Sequence, residues 1–476
     1  MVRQERHPRQ ALWVTRALRH VRAGRRPSAP LLKVVFLLHN AYAVGGTVRT
    51  TLNLASALAD AGHEAEVVSV HRHREEPRFA WDPRVRLVPL VDRRPGSADA
   101  ERPEFEAPAQ DYPRADRRYA QYGRLHELRL RAYLSGSDAD VIFGTRPGLN
   151  VCLARYGPRG ALCIAQEHLR LEAHSKKLRA VLARHYRMLD AVVTTTAADA
   201  ADYRHRMRLP GVRVVSVPNI VPEPSPSPRE PEGSGELEGS GEPEGSGEPE
   251  GSGEPEPVVA AAGRLVPGKR FDLLIEAFSP VAAKHPEARL RIYGGGPEKQ
   301  RLRQLSEELG LTSQVRLMGT RSPIEAEFAR ASVVVSSSDA ESFGMTLVEA
   351  MRCGVPVVST DCPLGPAEII HDGIDGFLVP RDDADALAGR MLTLFENEPR
   401  RQVMARAARV SAHRYDPARV VEQYAGLFGV LRSTRLRRAV RRSRWYRAAR
   451  GVARRTVRHA ARPWTRRRPA RVLPAR

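Results

Sequence analysis

The sequence predicts an α/β protein of two domains with parallel sheets, and three observations predict it. From residue 331 the chain reads as strand, loop, helix, strand: Ala331 to Val335 is rich in β-branched residues and Thr346 to Arg352 has apolar residues at helical spacing. Gly354 can cap that helix, and Val355 to Val358 is again strand-like. Near the other end, Lys33 to Leu38 makes a strand that passes through a loop and Gly45-Gly46-Thr47 into a helix whose Val48, Leu52, Leu54, Ala55 and Leu58 form an apolar face. Between these two halves, residues 222–256 are Pro, Ser, Glu and Gly apart from Arg229 and Leu237, and G-S-G-E-(L/P)-E occurs four times from Gly233 to Glu256. Such a segment has almost nothing apolar to bury, so it is expected to be a disordered linker.

At 476 residues the chain is long enough for two full cores plus tails. The formal charge of +22 resembles a nucleic-acid signature until it is located. Residues 431–476 hold eighteen Arg and no carboxylate, and residues 1–30 hold eight Arg against one Glu, which leaves −3 for residues 31–430. With few aromatics in the tail and a slightly acidic body, nucleic acid is not the expected partner. The four cysteines, Cys152, Cys163, Cys353 and Cys362, lack C-x-x-C spacing and lie in or beside apolar runs, which argues for buried thiols in a reducing compartment and against a structural zinc. Arg25-Arg26 before Leu31 to Leu38 is not read as an export signal, since Lys33 and His39 interrupt a short apolar run with no small-residue cleavage site. No run approaches the roughly 18 to 20 apolar residues of a membrane span.

In chain order, a basic leader (1–30) precedes the first strand. Glu64 to Val70 and Val85 to Val88 read as further strands, and Asp92 to Arg118 as a long surface loop. A helix from Tyr119 to Leu134 leads to the strand Asp140 to Phe143, with Asp138 and Asp140 taken as its lead-in loop and not as a metal site. Ala161 to Ala165 is the next strand, and Gln166-Glu167-His168 follows it at a position that lines the cleft of such sheets. Ala191 to Thr194 and Val212 to Val217 complete the first domain. The second opens with a strand from Val258 that delivers Gly263 and Arg264 to a loop closed by Lys269, before a helix from Phe271 to Phe278. Two cations five residues apart beyond a strand end are suited to a diphosphate, Arg by its planar fork and Lys as a point charge. Arg289 to Tyr293 runs into Gly294-Gly295-Gly296-Pro297, where close backbone approach to a ligand and turn geometry explain the glycines equally well.

The segment at 336–361 carries the chemistry. Ser342 or Gly344 opens a helix, so the N–H groups of Phe343, Gly344, Met345 and Thr346 have no helical carbonyl partner and suit a phosphate. Glu341 precedes them, and Glu349 follows two helical turns later, so both can border one cleft and accept from sugar hydroxyls. The E-x7-E spacing, with S-F-G-M inside it and C-G-V-P-V-V-S-T after it, resembles the retaining glycosyltransferases of family 4 (glycosyl transferases group 1). So do G-R-L-x-x-x-K-x-x-D-L-L-I-E-A from Gly263, the G-x-G-P turn at Gly294 and the Gly45-Gly46 loop.

The resemblance covers roughly residues 33 to 430 and implies the GT-B fold, two Rossmann-like domains facing a central cleft. The implied order is leader (1–30), acceptor-side domain (31–220), linker (221–257), donor-side domain (258–414), a helix returning to the first domain (415–431) and an Arg-rich tail (432–476). It implies transfer, with retention, of a hexosyl group from a nucleotide diphosphate sugar to a hydroxyl on a glycan or lipid-linked acceptor. The form C-P-x-G-P-x-E-I-I from Cys362 is most similar to members using UDP-sugars. Arg264, Lys269, Glu341 and His168 are the implied catalytic residues. Gly45, Gly46, Gly263, Gly294, Phe343, Gly344, Met345, Thr346 and Glu349 are the implied donor-binding set, with no metal and no cofactor. Two rival readings are a sugar phosphorylase or nucleotide-sugar epimerase of the same fold, and a nucleic-acid-binding protein with a degenerate enzyme core. The basic tail is expected to dock on an anionic membrane surface, which puts the enzyme in the cytoplasm at the inner face of the cell membrane.

Overall fold

The computed structural model describes residues 31–224 and 257–434. The leader, the repeats of the expected linker and the Arg-rich tail lie outside the described residues. The first domain runs β1 (Lys33–Leu38), α1 (Gly46–Asp60), β2 (Glu64–Arg72), β3 (Val85–Asp92), α2 (Pro103–Glu106), α3 (Arg124–Gly136), β4 (Val141–Gly144), α4 (Pro147–Tyr156), β5 (Leu162–Glu167), α5 (Lys176–His185), β6 (Ala191–Thr194), α6 (Ala197–Met207) and β7 (Arg213–Ser216). The second runs β8 (Val258–Ala262), α7 (Phe271–Lys284), β9 (Arg289–Tyr293), α8 (Lys299–Glu308), β10 (Val315–Gly319), α9 (Glu325–Phe328), β11 (Val333–Ser336), α10 (Met345–Arg352), β12 (Val357–Thr360), α11 (Pro366–Ile369), β13 (Gly376–Val379), α12 (Ala384–Glu396), α13 (Glu398–Ala412) and α14 (Pro417–Ser433).

Both sheets are parallel, in the orders β3-β2-β1-β4-β5-β6-β7 and β10-β9-β8-β11-β12-β13. The strand order reverses between β1 and β4 in the first sheet and between β8 and β11 in the second. At such switch points the helices depart to opposite faces and leave a crevice beyond the strands' carboxyl ends. Every residue of β1 after Lys33 is buried, as expected for a strand covered on both faces. Its side chains divide by alternation: Val35 and Leu37 enter one core layer, and Val34, Phe36 and Leu38 the other.

That second layer is closed by α14, which leaves the second domain and crosses back. Val420, Val421, Tyr424, Leu427, Phe428 and Leu431 pack on the first sheet, and the Tyr424 ring meets Phe143 edge-on at 5.5 Å. Gln166 Nε2 donates to Tyr424 Oη at 2.9 Å, and Arg432 pairs with Asp140 at 2.7 Å. Each fully buried side chain of this kind contributes about 1.5 to 3 kcal/mol, so the returning helix is part of the first domain's core.

Three local expectations change. The helix expected from Tyr119 is a 3-10 turn at Tyr119–Gln121 followed by α3 from Arg124. Gly123 breaks it because a Cβ there would lie 2.2 Å from the Phe105 carbonyl oxygen, and Arg124 N–H donates to Ala107 O at 2.7 Å instead of continuing a helix. The helix from Phe271 extends to Lys284, past Pro280. The expected surface loop from Asp92 is anchored: Glu127 accepts from the backbone N–H groups of Gln110, Asp111 and Tyr112 at 2.5–2.8 Å, and Arg129 holds Asp99. Asp138 and Asp140 do frame the start of β4, bonding the Lys33 ammonium and the Lys33 N–H respectively.

Candidate active site

In the second domain the helix of the E-x7-E segment begins at Met345, with Gly344 as its N-cap at φ 104°. No side chain caps this end, so Met345 and Thr346 keep N–H groups with no protein partner among the described residues, while Leu347 N–H bonds Gly344 O at 3.1 Å. Phe343 is buried, and its backbone lies against Gly365, where a Cβ would approach the Phe343 oxygen to 1.8 Å. At the far end Gly354, at φ 71°, closes the helix through Val355 N–H to Ala350 O.

Lys269 is set in a one-turn 3-10 helix beyond β8, and its carbonyl accepts from Ser337 Oγ at 3.0 Å. Its ammonium pairs with Glu341, which also accepts from Ser338 Oγ at 2.7 Å. Two residues expected to touch different parts of a donor are therefore partners of each other. Arg264 is exposed; its carbonyl accepts from Val266 N–H at 2.8 Å, but its guanidinium has no hydrogen bond or ion pair among the described residues. It is a free guanidinium at the second sheet's switch point.

Gly294 has a specific internal reason. At φ 147° it packs so tightly that a Cβ would lie 1.8 Å from the Gly263 carbonyl oxygen, and Gly263 N–H in turn bonds Tyr293 O at 2.9 Å. The ends of β8 and β9 thus press together, and that contact alone accounts for the glycine at 294. Gly45 and Gly46 differ: a Cβ on either would meet nothing within 4 Å, so no packing inside the chain demands them. They open α1, whose N-terminus carries no side-chain cap.

Glu349 is 4% exposed, and its carboxyl is pushed up to about 7, chiefly by burial. Arg49, from the first turn of α1, reaches it across the domains, Nη1 to Oε1 3.3 Å, and places Nη2 2.5 Å from Glu325. The Arg49 charge pulls Glu349 back toward ionisation while Glu325 works against it. Thr195 Oγ1 donates to Ser342 O at 2.7 Å, and the Ala197 and Ala198 N–H groups donate to Glu368, each at 2.8 Å, so the two domains also meet beside the α10 loop.

His168 follows β5, half-buried, with Nε2 covered and without a partner among the described residues. Burial lowers its proton affinity to about 4, so it is neutral at pH 7. Glu167 is turned into the core, where it accepts from Asn150 Nδ2 at 2.9 Å and from Tyr186. Sequence reasoning passed over Arg49, Arg118, Arg146 and His39. Among the described residues no group of three or more His, Cys, Asp or Glu is placed to hold a metal ion, and no helix is long and apolar enough to cross a membrane. A cavity of about 350 Å³ lies behind the Phe343 loop, between Thr195, Glu368, Arg414 and Tyr415.

Comparison with known proteins places this geometry. Residues 246–411 match the model for glycosyl transferases group 1, and residues 45–220 match the glycosyl transferase 4-like domain. The chain is 32% identical over 419 residues to an exopolysaccharide phosphotransferase of Streptomyces coelicolor, covering 85% of this chain but only 41% of that relative. It is 30% identical over 174 residues to the poly(ribitol-phosphate) α-N-acetylglucosaminyltransferase of Staphylococcus aureus, 36% of this chain and 35% of the relative. Among solved structures, S. aureus TarM in complex with fondaparinux, α-GlcNAc-glycerol and UDP superposes over 84% of this chain and all of that one, with a TM-score of 0.63 and 16% identity.

Proposed function

Since the chain belongs to the glycosyl transferases group 1 family and has the GT-B fold, we propose that it is a retaining, metal-independent glycosyltransferase. It moves a hexosyl group from a nucleotide diphosphate sugar, a UDP-sugar in preference to a GDP-sugar, to a hydroxyl of a cell-envelope glycan, a teichoic-acid-like polymer or a lipid-linked acceptor. The observation that carries the reading is the convergence at the second sheet's switch point of Arg264, Lys269, the open N–H groups of Met345 and Thr346, and the carboxylates Glu341 and Glu349. The UDP in the TarM structure and the polymers named for the relatives support the donor and acceptor classes.

In this reading the donor diphosphate lies across the start of α10. Developing negative charge on the leaving diphosphate is met by Arg264, Lys269 and the helix-start amides, all positioned before the reaction. Glu349 accepts from the ribose hydroxyls and Glu341 from the sugar. Donor binding exchanges the Lys269–Glu341 pair for contacts to opposite ends of one substrate. The Gly45-Gly46 loop leaves open space on the acceptor side. Holding the acceptor hydroxyl on the reacting face removes the entropy cost of bringing the two substrates together, and the leaving phosphate takes its proton.

Measuring hydrolysis of UDP-, GDP- and ADP-sugars by the purified chain tests the proposal. Turnover of one UDP-hexose, with the anomeric configuration kept in the product, is expected; turnover that requires inorganic phosphate, or donor conversion without transfer, would replace it with a phosphorylase or an epimerase. Docking of the Arg-rich tail on an anionic leaflet would bring the cleft to acceptors held at the inner face of the cell membrane.

A further inference from the structure

The carboxyl edge of the first sheet carries a cationic group that the donor does not use. At its switch point, parallel β1 and β4 end side by side, with Leu37 aligned to Gly144 and Thr145 Oγ1 bonded to Leu37 O at 2.8 Å. The next residues on the two strands are His39 and Arg146. The anchored segment 92–118 delivers a third, Arg118, whose Nη1 lies 3.2 Å from His39 Nε2 and 2.7 Å from Gln121 Oε1. His39 Nδ1 meets Tyr122 Oη at 2.8 Å.

Charge is not balanced here. Arg146 is half-buried, its Nε is covered, and its guanidinium has no hydrogen bond or ion pair among the described residues. Arg118 spends its bonds on neutral groups, since burial and the two arginines hold His39 down at about 3. Arg118 itself is lowered by burial and then by the Arg146 charge, with Tyr122, Tyr112 and Asp116 acting the other way. The nearby carboxylates are engaged elsewhere: Asp116 accepts from the N–H groups of Arg118 and Gly148 at 2.9 and 3.0 Å, and Glu167 faces the core. Asp116 offsets part of the Arg118 charge, but the half-buried Arg146 guanidinium has no carboxylate partner among the described residues; such an unpaired, partly desolvated cation is costly, and an anionic ligand offsets that cost.

We propose that Arg118 and Arg146, beside His39 at the carboxyl edge of the first sheet's switch point, form an acceptor subsite for a phosphodiester. This rests on the transferase reading above and narrows its acceptor to a phosphate-bearing polymer. A phosphodiester carries one charge on two free oxygens, so each guanidinium takes one oxygen in a charge-assisted bond. His39, whose two ring nitrogens are taken by Arg118 and Tyr122, is neutral and braces Arg118 without adding a competing charge. The adjacent Gly45-Gly46 loop leaves room for the polymer's next unit.

Saturation-transfer NMR with bis(glycero)phosphate as probe, on the full chain and on Arg118→Ala, Arg146→Ala and Arg146→Lys, tests binding directly. A difference between variants isolates this site from the basic tail, which all of them share. Either alanine variant is expected to weaken the probe roughly tenfold or more, with Arg146→Lys intermediate. In transfer assays the ratio of kcat/KM for bis(glycero)phosphate over glycerol should fall by a similar factor. Equal probe binding by the wild type and both alanine variants overturns the proposal, as does equal loss toward glycerol. A carboxylate analogue, diglyceryl succinate, bound as tightly as the phosphodiester would also overturn the phosphate assignment. If no nucleotide sugar is hydrolysed by the wild type yet the variants lose the probe, the transferase reading fails and the anion subsite stands.

Discussion

Arg49 Nη1 lies 3.3 Å from Glu349 Oε1 although the two residues belong to different domains, and its Nη2 is 2.5 Å from Glu325. One cation thus serves two carboxylates, the half-buried Glu325 and the buried Glu349 that the proposal assigns to the donor. Removing it by Arg49→Ala raises the Glu349 carboxyl further, because the Arg49 charge is what lowers it. The acid limb of the kcat/KM profile for donor should then move to higher pH. An unmoved limb would separate Arg49 from Glu349 in function.

The same carboxyl makes a prediction for stability. Burial raises Glu349 from its ordinary 4.5 to about 7, so between those values the folded chain binds a proton that the unfolded chain has released. Stability from this group is full below about pH 4.5 and is lost as pH rises through 7, a contribution of about 3 kcal/mol for a shift of this size. Glu349→Gln, which stays neutral, should flatten that fall. Parallel melting-temperature curves for wild type and variant between pH 5 and 8 (a window set by the shift) would refute it.

Lys269→Ala should lower donor turnover roughly 10- to 150-fold, the loss of about 1.5 to 3 kcal/mol from a charge-assisted contact. The variant also frees Glu341, which remains partly solvated and bonded to Ser338, so the fold should survive. Steady-state hydrolysis of the UDP-sugar, with a melting curve as control, reads both.

EDTA should leave transfer intact, because the diphosphate charge is met by Arg264, Lys269 and the start of α10. Complete loss restored by manganese would contradict this.

Full-length protein should sediment with anionic but not with neutral liposomes, and a chain ending at Thr434 with neither. Each near-surface Arg contributes about 1 kcal/mol to such attraction, and seventeen lie beyond Thr434. Equal sedimentation of the two chains would remove the tail from membrane binding.

The local framework of the second domain's candidate site was legible because its parts are local. Gly263 to Lys269 and Glu341 to Glu349 each span a few residues at a strand end or helix start, where spacing and backbone geometry determine what faces the cleft. The pairing of Lys269 with Glu341 was not legible, since it depends on how two loops are braced by Ser337 and Ser338. Arg49 and Glu349 are joined only by domain placement, and Arg118 reaches His39 beyond β1 only because Glu127 and Asp99 fix the long segment before it. In the sequence such arginines look like any solvated arginine. Glu167 shows the converse: a carboxylate just ahead of the cleft-lining loop, yet drawn into the core by Asn150 and Tyr186.

The return of α14 sets a timetable for biosynthesis. Asp140, at the start of β4, waits for Arg432, 292 residues later, and Phe143 waits for Tyr424 and Phe428. At about 5 to 20 residues per second, the first domain emerges from the ribosome with one apolar face uncovered for roughly 15 to 60 s. During that interval β1, β4 and β5 present a surface on which a holding chaperone can sit, and α14, the last helix among the described residues, is what displaces it.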